Sequence, residues 1–247
     1  MTRQLALDIG LRDRLRFDSF VIGPNRFLFE QLLQRVRAPD GRPVLFCGDA
    51  ATGKSHLLHA ACAEAHAAGR AVSYVGLRDQ VLMQAEGRNT GGLIDCLDGL
   101  ERFALVCVDD VDAVAGRPAW ERALFGLYNA CESTAGCLLL MSARSVARRV
   151  GFGLPDLASR LDHAWIGTLA PHSDEQRAAV LRMRARERGL QLGEEVIDYM
   201  LRHLPRDLPG LLAVVDALDT HSLERKRRIS LALLREWLDA RAGSGPP

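Results

Sequence analysis

Gly48-Asp49-Ala50-Ala51-Thr52-Gly53-Lys54-Ser55, with the apolar run Pro43-Val44-Leu45-Phe46-Cys47 before it and a helical run from Ser55 to Ala68 after it, decides how this chain is read. The octet fits G-x-x-x-x-G-K-[ST] in the context that gives the pattern its meaning: strand, glycine loop, helix. Glycines let the backbone wrap a polyphosphate with its N–H groups pointing inward, at the positive end of the helix dipole. Lys54 is then placed to reach the β and γ phosphates and Ser55 to hold Mg²⁺. The competing reading is a chance glycine turn, but the fixed positions and both flanks agree against it.

Composition narrows the class. With 48% apolar residues in 247, the chain can build a substantial core, in one large domain or two modest ones. Thirty-two basic and 31 acidic residues leave a formal charge of +1, so no global field drives it onto nucleic acid or membrane. Six cysteines occur without a C-x-x-C, and Cys47, Cys62, Cys107 and Cys137 sit in apolar or helical runs, which suits buried, reduced thiols. Met1 to Gly10 lacks the apolar core of a signal peptide and no run is long enough to cross a bilayer. A soluble, cytoplasmic protein is expected.

In chain order, Gln4-Leu5-Ala6-Leu7-Asp8-Ile9 alternates apolar residues without an evident partner, as a fraying terminus or a short docking motif would. Phe17-Asp18-Ser19-Phe20-Val21-Ile22-Gly23 precedes an amphipathic helix from Arg26 to about Arg37, and its apolar residues suit either a lid over a purine base or ordinary packing. Strands are predicted at Val44 to Cys47, Ala71 to Val75, Phe103 to Val108, Cys137 to Met141 and Trp165 to Leu169, with helices between most of them. That alternation implies an α/β fold with a mostly parallel sheet covered on both faces. Gly87 to Gly92 reads as an exposed loop.

Leu105-Val106-Cys107-Val108-Asp109-Asp110 is an apolar strand ending in two carboxylates. In a parallel sheet that end faces the ligand crevice, so Asp109 is placed to hold the metal and Asp110 to polarise an attacking water. Acids at a strand end also serve as turn formers, and it is the phosphate loop upstream that gives this pair its weight. After Pro171 the pattern becomes purely helical, with helices over Ser173 to Glu187, Glu194 to His203, Leu208 to Thr220 and Leu231 to Arg241. The expected division is residues 1–11 as an N-terminal segment, 12–169 as the nucleotide-binding α/β domain, 170–241 as a helical lid and 242–247 as a disordered tail.

A strand-borne phosphate loop, an acidic strand end, a further strand and a helical lid together resemble the AAA+ module. Phe17 to Gly23, Val108-Asp109-Asp110, Ser55 to Glu64 and Gly153 to Asp162 resemble the DnaA/Hda family of bacterial replication proteins over nearly the whole chain. The stretch after Pro171 suits a lid and leaves no expected place for a separate DNA-reading domain. The resemblance implies ADP or ATP with Mg²⁺ as ligand, held by Gly48, Asp49, Ala50, Ala51, Thr52, Gly53, Lys54, Ser55, His56, Val21 and Asp109, with Ser55 and Asp109 on the metal. It also implies that Gln4, Leu5, Leu7 and Ile9 dock on the β sliding clamp, with Asp8 where proline is usual. Arg160 is implied to be an arginine finger that neutralises charge on the γ phosphate of ATP held by a neighbouring DnaA, an effect worth ~10³ to 10⁵ in rate in related phosphoryl transfers. Without that resemblance, Arg160 would read as half of a surface ion pair at a helix end.

Two positions depart from the family pattern. Ala143 stands where an acidic sensor is usual before Arg144, with Ser142 as a partial substitute, and Pro209 stands near the lid's sensor arginine, for which Arg206 is the nearest candidate. Both put the protein's own ATP turnover in doubt. The function that the resemblance implies is negative regulation of replication initiation, with DnaA and the DNA-loaded clamp as partners and DNA reached through the clamp. A self-assembling ATPase such as a helicase loader and a non-catalytic clamp adaptor remain as alternatives. His59, Cys62 and His66 share a helix face at spacings a metal site could use, but packing is the expected role. Arg182, Arg184, Arg186 and Arg188, and the turn Arg225-Lys226-Arg227-Arg228, are read as solvated or partner-facing because acids interleave with them.

Overall fold

Five short apolar segments pair side by side and all run the same way, in the order β2-β3-β4-β1-β5. They are β1 (Val44–Cys47), β2 (Val72–Gly76), β3 (Leu105–Asp109), β4 (Leu138–Ala143) and β5 (Trp165–Thr168). The computed structural model describes residues 15–85, 96–205 and 207–243. Gln4, Leu5, Leu7, Ile9, the stretch Gly87 to Gly92, Arg206 and the last four residues lie outside that set. The chain divides between Pro171 and His172 into two compact units.

In the first unit, the sheet's two faces are covered by different helices, as continuous apolar strands require. Along β1 the side chains alternate: Val44 and Phe46 pack with Leu57, Leu58 and Leu32, whereas Leu45 and Cys47 pack with Leu124, Leu157 and Leu161. The first face is made by α1 (Arg26–Arg37) and α2 (Lys54–Ala67). The second is made by α3 (Leu77–Ala85), α4 (Pro118–Ser133), the short α5 (Ala147–Val150) and α6 (Pro155–His163). All four residues of β1 are buried, so the central strand carries its following loop on a rigid base. The five strands lie within a residue or two of their expected places, and β3 and β4 run past their expected ends to take in Asp109 and Ala143.

In the segment before α1, Phe17 and Phe20 take the packing role. Phe20 is buried and stacks on Phe29 of α1 at 5.8 Å, while Phe17 meets the same ring edge-on at 5.4 Å. Both aromatics are therefore core packing rather than an apolar lid over a base. His59 stacks on Tyr74 at 4.1 Å, both side chains lining the cleft beside the phosphate loop, and the Cys62 and Cys107 sulfurs meet at 3.4 Å. Among the described residues no cluster of His, Cys, Asp and Glu could hold a metal ion by itself, and all six cysteines are free thiols.

The second unit is built from α7 (Asp174–Glu187), α8 (Glu194–His203), α9 (Leu208–Arg225) and α10 (Leu231–Gly243) around Leu181, Val196, Met200, Val215, Leu218 and Leu234. α9 runs past the expected Thr220, because Leu218 and Ser222 continue its buried face and the stop comes only at Lys226, which adopts φ 52°. α10 likewise continues through Ala242, a strong helix former, to Gly243. Several members of each basic cluster are ion-paired within this unit. Arg182 binds Glu194, Arg184 and Arg188 bind Asp216, and Arg225 and Arg227 share Glu236. Among the described residues no helix is long and apolar enough to cross a membrane.

Ser173 caps α7 with a complete capping box: its hydroxyl accepts from Gln176 N–H, and the Gln176 side chain accepts from Ser173 N–H. Ser173→Ala should therefore destabilise the helical unit by about 1 kcal/mol. Faster amide exchange in the first turn of α7, with exchange in β1 and β3 unchanged, is the expected signature.

Candidate functional site

The turn after β1 is shaped by two residues in left-handed conformations, Ala51 at φ 63° and Gly53 at φ 96°. Gly53 has a second reason to lack a side chain. A Cβ there would lie 2.7 Å from the Phe20 ring, so the buried phenylalanine sets the height of the loop above α1. Thr52 closes the turn by donating to Asp49 O at 3.0 Å. α2 begins directly at Lys54, and its N-cap Gly53 supplies no side-chain acceptor for the first N–H groups of the helix. Uncapped donors, a glycine hinge and the dipole's positive end are what a phosphate requires.

Lys54 is nearly buried, and its ammonium donates to the carbonyls of Gly48 and Asp49, each at 2.7 Å. Burial pushes its pKa below the usual lysine value, opposed by the carboxylates of Asp110 and Asp109. Cys47, under the loop, is pushed up to about 11 by burial and stays a neutral thiol at physiological pH. Ser55 is exposed, and together with Tyr74, Arg78, Asp79, Asp109 and Asp110 it lines a cleft of about 250 Å³ beside the loop. The metal-binding and water-orienting residues expected from sequence are thus gathered at one place by the carboxyl end of β3 and the start of α2.

Each acid has partners. Asp109 is buried; one carboxylate oxygen accepts from the Ser142 hydroxyl and from Asp110 N–H, and the other accepts from the Tyr74 hydroxyl at 2.7 Å. Asp110, at φ 55°, accepts from Arg78 Nε at 2.8 Å. Tyr74 and Arg78 were not singled out in the sequence. The signal that would have found them is the parallel sheet itself, whose β2 must end beside β3 and so bring its last residues to the same crevice. Ser142 lies on β4, between β1 and β3, which explains how it reaches Asp109. Ala143 is buried and offers no polar atom, and Arg144 turns to Asp112 at 2.9 Å.

His56 does not point into the cleft. Its Nε2 lies 2.9 Å from Arg16 O and 3.2 Å from Ser19 Oγ, and its ring meets Phe20 edge-on, so it pins the segment before α1 to α2. Val21 is half-buried in that same segment. Arg160 stands apart on α6, partly exposed and ion-paired to Glu132 of α4 at 2.8 Å. Pro209 occupies the first turn of α9, where its missing N–H is no loss, and Asp207 caps the helix through Gly210 N–H.

Solved structures share this architecture. Domain III of the replication initiation protein DnaA from Thermotoga maritima matches over 92% of this chain and 96% of its own, at 21% identity and a TM-score of 0.75. AMPPCP-bound DnaA from Aquifex aeolicus matches over 85% of this chain and 67% of its own, at 21% identity and a TM-score of 0.68. The Thermotoga maritima Holliday junction branch migration motor RuvB matches over 87% and 67%, at 15% identity and a TM-score of 0.60. At such identities the likeness establishes the fold, which is that of the AAA+ P-loop class. Residues 11–164 match the family model of the bacterial DnaA ATPase domain, and residues 174–238 match that of the Hda lid domain. The chain belongs to the family of the bacterial DnaA ATPase domain.

Gly53→Ala should distort the loop and destabilise the first unit by at least about 1 kcal/mol, from the left-handed backbone alone. A thermal unfolding midpoint below that of the native sequence checks this.

Proposed function

We propose that this protein is a cytoplasmic, Hda-type regulator of replication initiation. In this reading it binds ADP or ATP with Mg²⁺ and docks on the DNA-loaded β sliding clamp through Gln4, Leu5, Leu7 and Ile9. There it inactivates the DnaA initiator by stimulating hydrolysis of DnaA-bound ATP. The observation that carries the reading is the succession, on one chain, of a DnaA-type ATPase domain with an intact phosphate loop and an Hda-type lid.

The site geometry supports a division of labour between the protein's own nucleotide and its partner's. Lys54 exchanges two carbonyl acceptors for β and γ phosphate oxygens, while the N–H groups at the head of α2 meet the remaining charge. Mg²⁺, when bound, supplies charge neutralisation between the phosphates, and Ser55 and Asp109 are the residues that would hold it. Turnover in cis is expected to be weak. Asp109 is already committed to Tyr74 and Ser142, Asp110 is tied to Arg78, and the side chain at position 143 has no polar group to contribute.

Arg160 is differently placed. Its pairing with Glu132 is a surface ion pair worth roughly 0–1 kcal/mol, so a more strongly charged anion can draw it away. In the proposed step, water attacks the γ phosphorus of DnaA-bound ATP and the bond to the β–γ bridging oxygen breaks. ADP leaves, and the guanidinium of Arg160 offsets charge on the transferred group.

Two measurements test the reading. With clamp-loaded DNA and ATP-bound DnaA, the native protein should accelerate hydrolysis and Arg160→Ala should remove the acceleration, a loss of ~10³-fold or more, while clamp binding persists. Hydrolysis by this protein alone, without acceleration of DnaA, would instead indicate a self-assembling ATPase. Lys54→Ala should weaken binding of ADP or ATP by about 10- to 100-fold in calorimetric titration, because it deletes charge-assisted hydrogen bonds to phosphate.

A further inference from the structure

One buried carboxylate takes no part in the cleft. Glu121, in the first turn of α4, is 1% exposed and has no ion-pair partner among the described residues. Its three acceptor contacts are all to main chain. One oxygen accepts from Gly116 N–H at 2.7 Å and Gly153 N–H at 3.0 Å, and the other accepts from Leu154 N–H at 2.7 Å. Those amides belong to two separate stretches. Gly116 closes the loop that follows the acidic end of β3, while Gly153 and Leu154 lead into α6, the helix of Arg160.

The second stretch depends on this contact. Leu154 is the N-cap of α6 and has no capping side chain, and Pro155 follows it. A carboxylate reaching across from α4 therefore supplies the acceptor that the N-cap side chain omits, and adds its charge to that of Asp156 in the first turn. α4 also holds the other part of α6, because Leu124 and Tyr128 pack with Leu157 and Leu161, and Glu132 receives Arg160. A buried, hydrogen-bonded carboxylate without a countercharge is costly to keep. A cap alone would be served by a serine or an aspartate on the helix itself.

We propose that Glu121 is a positioning residue for Arg160: it fixes the start of α6 to the loop following the acidic strand end, so that the guanidinium is presented at a set place and angle. The proposal rests on the regulator reading of Arg160. Misplacement of a catalytic group by about 1 Å can cost two orders of magnitude in rate, so the anchoring of α6 is expected to be visible kinetically.

The test uses Glu121→Gln in the full chain, which keeps one carbonyl acceptor and loses the other, with Glu121→Ala as the harsher variant. The expected result for Glu121→Gln is a maximal rate of stimulated DnaA ATP hydrolysis lowered by ~10-fold or more. The DnaA concentration giving half-maximal stimulation, and the protein's own nucleotide binding, should stay within about twofold of native. Amide exchange should quicken at Gly116, Gly153, Leu154 and along α6 while β1 and β4 remain protected. A rate within about twofold of native, with exchange at Gly153 and Leu154 already quickened, overturns the proposal. So does a rate loss matched by an equal loss of nucleotide binding, which marks a general structural role. Should Arg160→Ala itself leave stimulation intact, the regulator reading fails and this inference with it. A deficit in Arg160→Ala but none in Glu121→Gln removes this inference alone.

Discussion

A parallel sheet has no face to spare for water, and most of what this protein can do follows from that constraint. Each strand must bury both sides, so Val44 and Phe46 commit to one layer of helices while Leu45 and Cys47 commit to the other. Once both faces are filled, only the strand ends remain for chemistry. The carboxyl ends of β1, β3 and β4 lie beside one another because β4 pairs with both of the others. The phosphate loop, the acids and Ser142 are consequently neighbours without any of the loops having to be long.

The polar groups at that edge are largely satisfied by one another. Lys54 is held by its own loop, Asp109 by Tyr74 and Ser142, Asp110 by Arg78, and Asp112 by Arg144. Such a network keeps charges in place in a partly buried setting, where an unpaired one would be expensive. It also means that any ligand must displace existing hydrogen bonds rather than find idle donors. The uncapped start of α2 is the exception, and it marks where an anion gains most.

The fold was largely legible in the sequence because burial on two faces writes itself as continuous apolar runs. Val44 to Cys47 could be bounded to the residue by Pro43 and Gly48, and the helix from Arg26 to about Arg37 could be bounded closely by an amphipathic pattern that stops before Pro39. Ends without such punctuation were harder: α9 passes Thr220 because its stop is a left-handed lysine, a conformation that side-chain pattern does not announce. Within the site, the loop lysine, serine and paired acids were readable as a spaced motif. Arg78, Tyr74 and Glu121 were not. Their roles depend on which strand lies beside which and on helices packing across a distance in sequence, neither of which has a local signature. Phe20 shows the same gap from the other side. Its aromatic character was plain, but only packing tells that its ring props Gly53 instead of facing a base.

The pairing of Arg160 with Glu132 has a physical consequence beyond holding a side chain in reserve. A guanidinium already matched to a carboxylate projects little field into solvent, so this pair by itself adds little long-range attraction for polyanions. Free nucleotide and nucleic-acid backbone in the surroundings meet a locally neutral dipole. An incoming group must come close enough, and carry enough charge, to replace Glu132 in the same short contact. In the proposed role, recognition at this position is an ion exchange at contact distance, in which an anion held in fixed geometry takes the place of Glu132.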